Sequence, residues 1–156
     1  NLVILRTLSK GYSLAGLRVG YGIGQEKLIH PMLTKTKDSY NLDQISQVVA
    51  ASALKDQEYA KQSSVLIKAS RKKLHEKIER LGLYVAPSQA NFLLVTIPEQ
   101  SQLTAEDLYK ELKARNIFVR YFNMPRLKDK LRISVGLPEQ NKKLIETLEI
   151  LLSKPK

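Results

Sequence analysis

One lysine in this chain has surroundings that can put it to chemical use. Lys10 follows Thr7 and Ser9, precedes Gly11, Ser13 and Gly16, and has Arg18 eight residues further on. An amine whose site lowers its proton affinity is a nucleophile, and with a carbonyl carbon it forms a Schiff base. Hydroxyls and a guanidinium are the donors a phosphate needs, because the planar fork of Arg pairs two phosphate oxygens at once. The passage therefore joins an anchor for an aldehyde to a grip for a phosphate. Taken alone, a lysine in a loop rich in glycine and serine is an ordinary solvated side chain. The reading rests on the spacing to Arg18 and on motifs further along.

The elements that must hold Lys10 follow from the apolar pattern. Residues 2–5 (Leu-Val-Ile-Leu) read as a strand covered on both faces, residues 19–23 as a second strand, and Lys10 lies in the loop between them. Residues 25–36 read as a helix that Pro31 kinks or divides. Asp43 is the expected N-cap of a buried helix over residues 45–54. A longer helix over residues 58–81 has the stripe Ile67, Leu74, Ile78 and Leu81, with Gly82 as its terminator.

Beyond Gly82 the rhythm changes. Residues 84–86 and 91–97 read as strands, and Thr104 caps a helix with Asp107 at its third position. Residues 117–122 and 131–135 are strands, and Pro138 opens a last helix with the stripe Ile145, Leu148 and Leu152. The order places the chain in the α/β class, with a small ββαββα domain at its C-terminal end. The domains are expected at residues 1–56 and 57–156.

Composition narrows the function. The 156 residues carry a net charge of +11, no cysteine, no tryptophan and three phenylalanines. Basic residues are spread through helices (Lys72, Lys73, Lys77, Lys110, Lys113, Lys142 and Lys143), which fits a solvated basic surface for anionic metabolites. No nucleic-acid signature and few stacking aromatics accompany them, so no nucleic-acid partner is expected. No apolar run is long enough to span a bilayer, so no membrane partner is expected either. Two histidines without cysteine offer no metal-ligand set. The absence of cysteine fits a cytoplasmic protein. Gly20-Tyr21-Gly22-Ile23-Gly24 lacks the spacing of a dinucleotide loop.

Three passages carry a family likeness. Thr7-Leu8-Ser9-Lys10-Gly11-Tyr12-Ser13-Leu14-Ala15-Gly16, followed by Leu17-Arg18-Val19-Gly20-Tyr21, resembles the cofactor-lysine signature of fold-type-I pyridoxal-phosphate aminotransferases. Pro87-Ser88-Gln89-Ala90-Asn91-Phe92-Leu93 agrees in order and spacing, as does Leu131-Arg132-Ile133-Ser134-Val135-Gly136 with Pro138-Glu139-Gln140-Asn141. Ile117-Phe118-Val119-Arg120 is similar to the strand before that last motif. The resemblance is strongest to the histidinol-phosphate aminotransferase branch.

It implies a pyridoxal-phosphate transferase fold, seen here as a remnant of the large domain plus the small domain. It implies pyridoxal 5'-phosphate as cofactor, an amino donor and a 2-oxo acid as substrates, and a homodimer. Lys10 resembles the lysine that binds the cofactor aldehyde and then shuttles a proton. Arg18, Thr7 and Ser9 are the implied phosphate contacts. Arg132 is similar to the arginine that pairs with the substrate anion, with Arg120 as a second anion contact and Asn91 orienting substrate. The family takes an Asp for the pyridine nitrogen and a Tyr for the ring oxygen from sequence ahead of the lysine. The chain is therefore expected to be the C-terminal portion of a longer enzyme, inactive on its own. Other readings stay open: an aromatic aminotransferase, a threonine-phosphate decarboxylase, or a non-catalytic basic module that binds nucleic acid. Arg132 can also be an exposed strand charge, Arg120 a strand-end arginine, and Asn91 a turn residue.

Overall fold

The computed structural model describes residues 1–39 and 42–153, which fall into two compact units, Asn1–Ser64 and Val65–Lys156. The first unit begins with an antiparallel ribbon of β1 (Val3–Thr7) and β2 (Gly20–Gly24), in register from Val3↔Gly24 to Thr7↔Gly20. Helix α1 (Glu26–Pro31) follows, then a π-helical turn over Met32–Thr36, then α2 (Gln44–Lys55). The break falls at Pro31, where a residue without an N–H cannot continue the α-helical ladder. Asp43 caps α2 as expected, accepting the Ser46 N–H at 2.8 Å.

Burial in this unit differs from the sequence expectation. The run at residues 2–5 forms a strand but is not covered on both faces: Leu2 is 68% exposed and Leu5 79%. Its one hydrogen-bonded neighbour among the described residues is β2, and a two-stranded ribbon has too little surface to bury itself. Helix α2 is likewise not buried. Only Ser46 and Ala50 are fully buried, while Ile45 and Val48 face outward. The core here is small: Leu8, Val19 and Ala50, with Tyr12, Leu14, Leu17, Leu42 and Leu54 packed around them.

Helix α3 (Gln57–Arg80) carries the division between the two compact units, which falls after Ser64. Its C-terminal half presents Leu74 and Ile78 to the second core, and Gly82 follows with φ +79°, the left-handed geometry that ends a helix cheaply only at glycine. The second unit is a four-stranded antiparallel sheet in the order β3-β4-β6-β5. Its strands are β3 (Tyr84–Val85), β4 (Phe92–Thr96), β5 (Arg120–Tyr121) and β6 (Lys130–Ser134). Helices α4 (Ala105–Ala114) and α5 (Pro138–Ser153) complete the ββαββα order.

Alternation along the strands builds one core face. Leu93, Val95, Leu131 and Ile133 are buried with Leu108 and Leu112 of α4 and Leu144, Ile145, Leu148 and Leu151 of α5. Phe92, Leu94 and Arg132 point to the other face, since successive side chains alternate. Thr104 caps α4 through the full reciprocal box with Asp107. The strand expected over residues 117–122 shrinks to Arg120–Tyr121. Ile117 is used elsewhere: its N–H bonds the Leu112 carbonyl at 2.9 Å and, after Asn116 at φ 58°, closes the end of α4.

Candidate functional site

In the first unit the residues 8–19 form a closed loop. The Leu8 N–H donates to the Val19 carbonyl and the Leu14 N–H to the Leu8 carbonyl, both at 3.1 Å. Leu8, Leu14, Leu17 and Val19 turn inward against α2. The polar residues between them are thereby turned outward. At the tip, the Lys10 carbonyl accepts the Ser13 N–H at 3.1 Å, and the Lys10 side chain is exposed. Ser13 adopts φ 58° and its hydroxyl lies 3.3 Å from that of Tyr59.

Thr7 and Ser9 form one hydroxyl pair. Thr7 Oγ1 accepts the Ser9 N–H at 3.1 Å and donates to Ser9 Oγ at 2.9 Å. The Ser9 hydroxyl proton is left free to donate outward. Arg18 has a left-handed backbone at φ 55° and sends Nη1 to the Ala15 carbonyl at 3.0 Å, and its remaining N–H groups have no partner among the described residues. A primary amine, two hydroxyls and a guanidinium on one tied loop suit an aldehyde that carries a phosphate.

The second unit places Arg120 and Arg132 on the exposed face of its sheet. Arg120 and Arg132 are register partners across β5 and β6. The Arg132 guanidinium lies 5.3 Å from the Phe92 ring centroid and 5.9 Å from that of Phe122, and Arg120 lies 5.2 Å from Phe122. Asn91 is exposed at the start of β4, where its carbonyl accepts the Val135 N–H at 2.9 Å.

Supporting contacts here were not legible as such. Arg71 reaches from α3 to the Ala90 carbonyl at 2.8 Å and to Gln89 Oε1 at 3.2 Å. Ser88 donates to the Phe92 carbonyl at 2.7 Å and accepts the Ala90 N–H, so the turn before Asn91 is held from both sides. At the far end of β6 the Asn141 amide accepts from the Gly136 N–H at 3.0 Å and donates to the Gly136 carbonyl at 2.9 Å, imitating a strand partner. Asn141 had a signal in the Pro138-Glu139-Gln140-Asn141 motif; Arg71, the lone arginine between Ser70 and Lys72-Lys73, had a weak one.

Other features carry less chemistry. A cleft of about 510 Å³ is lined by Ile97, Leu103, Thr104, Tyr121 and Lys128 among others, and includes none of the candidate residues. Among the described residues no group of His, Cys, Asp and Glu converges as a metal set, and no helix is long and apolar enough to cross a membrane.

The family described as aminotransferase class I and II matches residues 1–148. Histidinol-phosphate aminotransferase 1 of Trichormus variabilis is 49% identical over 152 residues, which are 97% of this chain and 42% of that relative. The crystal structure of the histidinol-phosphate aminotransferase from Clostridium acetobutylicum superposes with a TM-score of 0.85 at 27% identity, over 96% of this chain and 45% of that one. The structure of the Sinorhizobium meliloti histidinol-phosphate aminotransferase in complex with pyridoxal-5'-phosphate gives a TM-score of 0.81 at 28% identity, over 97% of this chain and 42% of that one. The chain thus spans less than half the length of the relatives it matches.

Proposed function

We propose, from the premise that this chain belongs to the class I and II aminotransferase family, that the protein carrying it transfers the amino group of histidinol phosphate to 2-oxoglutarate in histidine biosynthesis. The observation that carries the reading is the tied loop at Lys10, with the Thr7–Ser9 hydroxyl pair and Arg18 on its outer surface. Similarity to histidinol-phosphate aminotransferases along 97% of the chain supports the choice of substrate.

The donor set fits pyridoxal 5'-phosphate, which supplies an electron sink for the pair of electrons left when an amino acid loses its α-proton. Lys10 Nζ is assigned to hold the aldehyde carbon. Displaced by the incoming amine, the same Nζ would take up the proton that leaves the substrate α-carbon, the role of a positioned amine base. Arg18 and the hydroxyls of Thr7 and Ser9 hold the phosphate, the guanidinium supplying charge and the hydroxyls direction. Arg132, with Arg120 beside it, pairs with the anionic end of the substrate. Asn91 orients that substrate from the head of β4. The protein acts as a cytoplasmic homodimer.

The test is spectroscopic and kinetic on the full-length protein. It should be yellow when loaded with cofactor, and borohydride should fix the cofactor on Lys10. Lys10→Ala should remove both the covalent label and the activity. Survival of the label in Lys10→Ala would refute the assignment. A higher kcat/KM for an aromatic amino acid than for histidinol phosphate would refute the substrate.

A further inference from the structure

Two guanidiniums directly opposite each other on neighbouring antiparallel strands repel, so the Arg120↔Arg132 pair calls for a compensating arrangement. Neither side chain has a hydrogen-bond or ion-pair partner among the described residues; both rest on aromatic rings instead. Phe122 lies two residues beyond Arg120, diagonal to Arg132, and its ring is shared by both guanidiniums at 5.2 and 5.9 Å. Phe92, opposite Ser134, is the matching diagonal neighbour of Arg132 on β4, at 5.3 Å. The π-face of a ring attracts a cation within about 6 Å of its centroid. A guanidinium held over a ring spends none of its N–H donors on that contact, so they remain for an anion.

We propose that Phe122 is a positioning residue: its ring holds Arg120 and Arg132 side by side with their N–H edges free, preorganised for an anion with more than one charged oxygen. Phe92 fixes the second face of Arg132. The proposal rests on the anion-binding role given to the two arginines above. Without the ring, each guanidinium regains its rotamers and swings away from its like-charged neighbour, and that ordering must be recovered on binding.

Glutarate binding to the cofactor-loaded, full-length protein, measured by titration calorimetry, tests this directly. Phe122→Leu should weaken Kd roughly tenfold, the order expected from two lost cation–π contacts. Phe122→Tyr, which keeps the ring, should stay within twofold of the unsubstituted protein. Phe92→Leu, which releases Arg132 alone, should weaken Kd about threefold and gives a second reading should Phe122→Leu fold poorly. In steady state Phe122→Leu should raise KM for histidinol phosphate with kcat nearly unchanged, the mark of lost uniform binding. Unchanged glutarate affinity in Phe122→Leu, or equal weakening in Phe122→Tyr, overturns the positioning role and leaves the functional reading standing. An unsubstituted protein that neither binds glutarate nor transfers amino groups overturns both.

Discussion

Replacing Gly20 by alanine tests whether the strand pairing below Lys10 is as close as the structure shows. A Cβ on Gly20 would stand 2.7 Å from the Arg6 carbonyl oxygen and 3.7 Å from Thr7 Cα, whereas ordinary contact begins at 3.4 Å. The first of these is short by about 0.7 Å, and its partner is backbone, which cannot rotate away. To relieve it, β1 and β2 must part at Thr7↔Gly20, the last pair before the Leu8–Val19 hydrogen bond that closes the lysine loop. Overpacking of this kind costs about 1–3 kcal/mol. That corresponds to roughly 2–4 °C of Tm for each kcal/mol in a domain of this size. Because Thr7 carries the hydroxyl bonded to Ser9, cofactor affinity should fall as well. Gly11 and Gly16 are matched controls: a Cβ at either meets nothing within 4 Å and neither has a positive φ. Alanine there should change stability by no more than about 0.5 kcal/mol. Urea unfolding and a spectroscopic cofactor titration on the three variants decide the matter. Gly20→Ala as stable and as tightly loaded as Gly11→Ala would refute the close approach.

Other expectations are more local. Asn141→Ala leaves the Gly136 N–H and carbonyl without their side-chain partner and should cost about 1–3 kcal/mol, seen as a lower midpoint in urea with unchanged m-value. Arg71→Ala removes the donor that holds the Ala90 carbonyl; KM for histidinol phosphate should rise more than kcat falls, and equal changes in both would count against a role through Asn91. The Ser46 side chain and N–H hold the Asp43 carboxyl below its ordinary 3.8, and the Thr104 side chain and N–H do the same for Asp107. A carboxylate with a lowered folded pKa stabilises fully above its unfolded value and loses that contribution as pH falls through the folded one. Helical circular dichroism should therefore hold steady down to about pH 4 and decline below it, and Asp107→Asn should flatten that decline; an unaltered acid profile would reject the linkage.

How much was legible depended on how far each signal had to reach. Asp43, Thr104 with Asp107, Pro31 and Gly82 were readable because a cap or a break is decided within one turn of chain. Arg132 between Leu131 and Ile133 was readable as outward-facing for the same reason, since strand alternation is local. The exposure of residues 2–5 was not readable: an apolar run reports a strand, not which faces have neighbours. The shortening of β5 escaped because Ile117 is claimed by the end of α4, a competition between two elements that periodicity assigns separately. The rings under Arg132 escaped for a longer-range reason, as Phe92 and Phe122 meet it only once three strands are in register. The loop that carries Lys10 was readable because its two flanking strands, Val3–Thr7 and Gly20–Gly24, follow one another closely in the chain.

Arg18 joins two demands that pull in opposite directions. Its backbone lies in the left-handed region at φ 55°, where a residue with a Cβ is disfavoured by about 1–2 kcal/mol, and glycine would remove that cost. Glycine would also remove the guanidinium. A variant library selected for thermal stability should therefore enrich Arg18→Gly, while the same library selected for cofactor retention should eliminate it. This single position should thus act as a divergence point between fitness for folding and fitness for catalysis, the trade-off seen where strain is kept for the sake of a site.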